Sequence, residues 1–174
     1  MHGQGDLIMQ RPNRTDAPAI TIPPAGGAAV WLLGDTYTVK IAGEQTGSAF
    51  ALLEALAPSQ SGPPPHRHLR EDETFVVLEG ALEFRANGRT VSASAGTVIH
   101  VPRGTVHSYA TVGATPVRML FLYAPAGMER MFAEIGTPAQ PGVPAPPLSA
   151  EDVAKLLSVA AKYHFEVVAP DEAS

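Results

Sequence analysis

Four side chains in two separated stretches, His66, His68, Glu73 and His107, have the types and spacing of ligands to one metal ion. His66 and His68 are two positions apart, so on an extended strand both imidazoles leave the same face and reach one ion. Glu73 follows five residues after His68, which allows a tight bend and a return strand that aims its carboxylate at the same place. His107 arrives from a second stretch, Gly96 to His107. Three neutral imidazoles and a carboxylate make a nitrogen and oxygen set suited to divalent Mn, Fe, Co, Ni, Cu or Zn. Four protein ligands on a metal that takes five or six leave one or two positions for water, dioxygen or an organic oxygen donor. Glu73 is also the candidate catalytic residue. Once off the metal it becomes a carboxylate in a dry pocket with a raised pKa, suited to taking a proton from a phenol or enol. His2, His100 and His164 lack ligand spacing and are expected to be structural or surface residues. Glu71 and Asp72 are expected to form a solvated turn before Glu73.

The elements that must position these groups read as short strands. Ala29–Leu33, Thr36–Ala42 and Ser48–Leu56 are rich in apolar, β-branched and aromatic residues, and Pro58–Pro65 then breaks regular structure and delivers the chain to His66. Thr74–Leu78 and Ala81–Arg85 follow around Gly80, and Asn87-Gly88 signals a two-residue hairpin because both residues tolerate positive φ. Thr90–Ser94, Thr97–Val101, Val106–Thr111 and Val117–Tyr123 complete about ten strands. Strand alternation places Glu73, Phe75 and Val77 on one face and His107, Tyr109 and Thr111 on another. Phe75 and Tyr109 are therefore expected beside the ligands, with Phe50, Phe84, Phe121 and Tyr123 as further candidates for the same substrate pocket or for ordinary core.

After Ala124 the pattern turns helical. Met128, Met131, Phe132 and Ile135 share one helical face, and Ser149 with Asp152 makes a capping box for a second helix. The stripe of that second helix is Val153, Leu156, Leu157 and Ala160, expected to pack on the barrel. Residues 1–27 are expected to be a tail, 28–124 the β-barrel and 125–174 a helical extension packed on it.

Composition narrows the function classes. Of 174 residues, 45% are hydrophobic and 17% charged, which fits a single globular domain with a substantial core. A net charge of −5 without a basic stripe argues against nucleic-acid binding. There is no cysteine, so a disulfide, a thiolate metal site and a cysteine nucleophile are excluded. Residues 1–16 lack an apolar run of signal-peptide length, and no stretch approaches the roughly 18 apolar residues of a membrane span. A cytoplasmic location and no membrane partner are the expectation.

The run His66-x-His68, Glu73, Gly80, followed by Gly96, Pro102, Gly104 and His107, resembles the two motifs of the cupin superfamily. Thr111 stands where asparagine is common, and Gly62 lies closer to His66 than the usual leading glycine. The fifteen residues between Gly80 and Gly96 are the short spacing of microbial cupins. The resemblance implies an all-β fold, the cupin double-stranded β-helix or jelly-roll barrel, here with two short C-terminal helices. The wider pattern, including Gly43–Gly47, Pro63–His68, Glu71–Gly80 and Pro125–Arg130, is similar to single-domain bacterial cupins related to quercetin 2,3-dioxygenase. That implies a divalent metal on the three histidines and Glu73, with dioxygen and a flavonol-like aromatic or enolic compound as partners. Alternatives are a non-catalytic metal-holding module for binding or sensing a small molecule, or another cupin reaction such as isomerisation or decarboxylation. An acid substrate would call for a cation in the pocket, with Arg85, Arg103 or Arg118 as candidates. Cupin barrels commonly pair, and the apolar strands before His66 offer an edge, so a homodimer is expected.

Overall fold

The computed structural model describes residues 18–169. Strands β1 (Ala28–Leu32), β2 (Asp35–Ile41) and β3 (Ala51–Ala57) come first, with the single turn α1 (Gly43–Thr46) between the last two. After the proline-rich loop follow β4 (His66–His68), β5 (Asp72–Glu79), β6 (Ala81–Ala86), β7 (Arg89–Ser94), β8 (Val98–Val101), β9 (His107–Val112) and β10 (Val117–Ala124). The chain ends with α2 (Met128–Ile135), β11 (Thr137–Pro138), α3 (Ala150–Val159), a 3₁₀ turn at Ala160–Tyr163, and β12 (Phe165–Val167).

These strands form two antiparallel sheets, one of seven in the order β11-β1-β2-β3-β10-β5-β8 and one of five in the order β12-β4-β9-β6-β7. The fold is the expected all-β jelly-roll, built as two facing sheets and not as one closed ring. Alternation does the sorting. In β10, Val117, Met119, Phe121 and Tyr123 are buried while Arg118, Leu120 and Leu122 are only partly covered. β5 alternates in the same way with Glu73, Phe75 and Val77 inward. Phe75 meets Phe84 of the opposite sheet at 5.3 Å and Phe121 of its own at 4.9 Å. Burial of each such side chain contributes roughly 1.5–3 kcal/mol.

The C-terminal segment contributes more than the helices expected of it. β11 pairs with β1, so the sheet edge expected to be open before His66 is covered, and β12 pairs with β4. The reading missed both strands because they are two and three residues long. Helix α2 buries Met128, Met131 and Phe132 on its apolar stripe. Helix α3 is capped as expected, Ser149 Oγ accepting from the Asp152 amide at 3.2 Å while Asp152 accepts from the Ser149 amide at 3.0 Å. Its packed face is narrower than expected: Leu156 is buried, whereas Leu157 is 55% exposed, and the helix packs mainly on α2 and the 3₁₀ turn that follows it. Of the expected N-terminal tail, 18–27 carry neither strand nor helix, and the rest, with His2, lies outside the described residues.

Candidate metal centre

The two sheets bring the four donors together from opposite sides. His66 and His68 alternate inward on β4, and His66 is directly across from His107 on β9. Glu73 comes from the other sheet, where it pairs with Tyr123 of β10. One donor atom from each of His66, His68, Glu73 and His107 lies within 4.8 Å of the others, and all four residues are buried.

Local backbone chemistry sets which nitrogen each imidazole offers. His66 Nδ1 lies 2.9 Å from the Pro64 carbonyl and His107 Nδ1 3.0 Å from the Thr105 carbonyl. Those carbonyls take the Nδ1 proton, which leaves Nε2 as the inward donor, the usual way in which a neighbouring group fixes a ligand's tautomer. Gly104 contributes through its backbone: its φ of +81° suits glycine, and its amide donates to the His68 carbonyl at 2.7 Å. Gly62 has a different reason to be glycine, since a Cβ there would sit 1.9 Å from the Tyr109 carbonyl oxygen.

The electrostatics suit a bound cation. Glu73 Oε2 is 2.9 Å from His107 Nε2 and 3.2 Å from His68 Nε2, yet neither ring nitrogen of His68 has an aligned hydrogen-bond partner. Proximity without alignment contributes little, so the His68 ring is effectively unpartnered. Burial presses the Glu73 carboxyl upward, but the nearby His68 imidazole and a hydrogen bond with His107 outweigh it and hold Glu73 below the usual carboxylate range. Burial opposes a charged His107 too, and there the Glu73 carboxylate prevails and raises the imidazole's pKa. His66 is pushed down to about 3, first by burial and then by its two neighbouring histidines. Orphaned imidazole nitrogens around a buried carboxylate are what a divalent cation would satisfy, so the donor set fits a nitrogen and oxygen metal site.

The donors open into a cavity of about 40 Å³, room for a few waters. Phe75, Tyr109, Phe121 and Tyr123 line it, together with His66, His68 and Glu73. Phe84 lies outside the lining and stacks on His107 at 5.8 Å. Phe50 is not among the lining residues either. Thr111 is buried, and its hydroxyl donates to the Pro58 carbonyl at 2.7 Å, bracing the loop before β4.

Several residues at the site were not anticipated. Tyr37 of β2, Met128, Met131 and Phe132 of α2, Leu156 of α3 and Phe165 of β12 line the cavity as well, with Leu32, Leu33 and Pro63. An acidic and an aromatic residue two apart on one face of a strand, Asp35 and Tyr37, were a signal that could have been read. Glu71 departs from the expected solvated turn: it is 2% exposed and its Oε2 has no partner. Asp72 does face outward, gripping Arg103 at 3.0 Å. His100 is bonded to Thr74 on the surface. Arg85, Arg103 and Arg118 pair with Glu83, Asp72 and Glu79 on the exterior, and none lines the cavity.

Residues 52–123 match the family model of the cupin domain. Over 108 residues the chain is 29% identical to quercetin 2,3-dioxygenase of Bacillus subtilis, covering 62% of this chain and 32% of that protein. It is 39% identical over 61 residues to the acetate kinase EutQ of Salmonella typhimurium, covering 35% of this chain and 26% of that one. The chain thus spans about a third or less of the length of these relatives. Among solved structures it resembles one described as a predicted oxalate decarboxylase from Thermotoga maritima, with a TM-score of 0.57 and 20% identity over 61% of this chain and 99% of that one. No helix among the described residues is long and apolar enough to cross a membrane.

Proposed function

The chain belongs to the cupin superfamily, and from that premise we propose that it is a metal-dependent dioxygenase acting on an uncharged aromatic or enolic compound. Its four donors would hold one divalent transition metal, and dioxygen would be the second substrate. The observation that carries this reading is the pairing of a buried three-histidine, one-carboxylate cluster with a cavity whose other walls are aromatic and aliphatic. The similarity to quercetin 2,3-dioxygenase supports the reaction class.

A metal bound there supplies a Lewis acid that lowers the pKa of a chelating hydroxyl and a centre for dioxygen chemistry. The rest falls to the protein. His66 and His107 are held in one tautomer by the Pro64 and Thr105 carbonyls, so their orientation is set before a ligand arrives. Glu73 is the group placed to take the proton of an acidic substrate hydroxyl. The rings of Phe75, Phe121, Tyr123 and Phe165 exclude water and favour a flat apolar ligand.

The exterior position of Arg85, Arg103 and Arg118 speaks against a decarboxylase or isomerase that grips its acid substrate with a cation. The narrow interior sets a size condition: a single ring edge fits as the cavity stands, whereas a flavonol requires the cover formed by Phe165 and Leu156 to move. The test is oxygen uptake by metal-loaded protein offered catechols, enediols and flavonols. Uptake with at least one class is expected. Tight binding of one of them without any uptake would replace this reading with a metal-holding module that binds and does not turn over.

A further inference from the structure

A second buried polar cluster lies apart from the metal ligands. Asp35 of β2 is 1% exposed, and its Oδ2 accepts hydrogen bonds from Tyr37 at 3.2 Å and from Tyr109 at 3.0 Å. Its Oδ1 accepts one from the Ser61 hydroxyl. Tyr37 and Tyr109 come from different sheets and both line the cavity that contains the metal ligands, while Asp35 sits behind them outside the lining. Phe75 is in ring contact with His107 at 6.0 Å and with Tyr109 at 6.1 Å. Among the described residues neither phenol is in ring contact with a histidine, so the two polar clusters are separated by aromatic surface.

A tie between the sheets would need one donor and one acceptor. Here a single carboxylate oxygen takes two phenol protons, and an ionisable group is buried where apolar residues would hold the sheets with less desolvation. The arrangement does something a tie does not: it commits both phenol protons to the carboxylate, and although the two phenols also neighbour one another, each oxygen keeps a lone pair as an acceptor. Apart from the metal ligands and Tyr123, which lies across from Glu73, the remaining lining is apolar.

We propose that Tyr37 and Tyr109, oriented by Asp35, form a second recognition subsite that accepts a hydrogen bond from a ligand hydroxyl while the ligand's chelating oxygens face His66, His68, Glu73 and His107. This rests on the reading of the cavity as a small-molecule site and adds a substrate class to it: aromatic or enolic compounds that carry a donor hydroxyl away from the chelating edge. Tyr37 and Tyr109 are specificity residues, and Asp35 is a positioning residue.

The experiment is a calorimetric titration of metal-loaded protein with two matched pairs, tropolone against a ring-hydroxylated tropolone and 3-hydroxyflavone against quercetin. Wild type is expected to bind the hydroxylated member of at least one pair about fivefold to tenfold tighter, the size of one hydrogen bond. Tyr37→Phe and Tyr109→Phe should bring the pair within about twofold of one another while metal content stays at the wild-type level, a loss of discrimination that loss of a merely structural tie would not produce. Should a phenylalanine variant fail to fold, the C–O stretch of ring-labelled tyrosine in wild type gives the same answer: a shift with the hydroxylated ligand alone supports the subsite, and no shift overturns it. Discrimination that survives in both variants overturns the subsite and leaves the proposed function standing. Failure of wild type to bind any of the four compounds overturns the proposed function and the subsite with it.

Discussion

Phe165 lies on the face of His66, ring centroids 4.9 Å apart and planes inclined by 29°, and its backbone is in register with His68. One aromatic ring from the C-terminal segment therefore packs on a candidate metal ligand and lines the cavity beside it. The strand that carries it has three residues and pairs on its inner side with β4. Its outward-facing tie is an ion pair between Arg67 and Glu166, both about 40% exposed, which contributes little.

Removing the ring should therefore loosen the cover. Phe165→Ala is expected to cost about 3–5 kcal/mol of folding stability through the cavity it leaves. It should also speed the association of 3-hydroxyflavone, since the space above His66 opens. Denaturant midpoints and stopped-flow association rates measure the two effects. Unchanged association in a folded variant would deny Phe165 the part of a cover.

Asp35 makes a pH signature. Burial raises its pKa from 3.8 to about 6, against hydrogen bonds from Ser61, Tyr109 and Tyr37 that lower it. A carboxyl raised in the folded state contributes stability that is fully present below the unfolded value of 3.8 and is lost as pH rises through about 6. The gap corresponds to at most about 3 kcal/mol. Asp35→Asn has no proton to lose there, so its stability relative to wild type should increase between pH 4 and pH 7. Urea titrations of both proteins across that range provide the comparison, and a difference that is flat or falls with pH would refute the burial of an ionisable Asp35.

Much of the metal site was legible because it depends on local rules. Two-residue periodicity placed His66 with His68, and glycine and proline positions delimited the strands that carry Glu73 and His107. The same rules failed where a contact depends on long-range closure. Phe165 belongs to a segment too short for a periodic signal, and Glu71 is buried by Gly127 and the chain after β10, which contact it from more than fifty positions away. Phe84 and Phe121 both point inward, yet one lies beneath His107 and the other lines the cavity, a distinction set by the placement of the sheets and not by alternation.

Glu73→Gln separates metal holding from proton transfer. The amide oxygen still coordinates weakly, so part of the metal should remain, while the substrate hydroxyl loses its proton acceptor. With metal content equalised, turnover should fall by about 10² to 10⁴. Oxygen uptake by the two proteins at saturating substrate is the comparison, and equal rates would remove Glu73 as the base.

The most direct test of the account is the metal content of the protein itself, since four convergent buried donors without an ion would leave the His68 imidazole buried and partnerless. Elemental analysis after loading and exhaustive dialysis should find one divalent transition metal per wild-type chain. In His66→Ala, His68→Ala and His107→Ala most of that metal should be lost. A full complement in the His107→Ala protein, or none in wild type after loading with each of Mn, Fe, Co, Ni, Cu and Zn, would contradict the assignment.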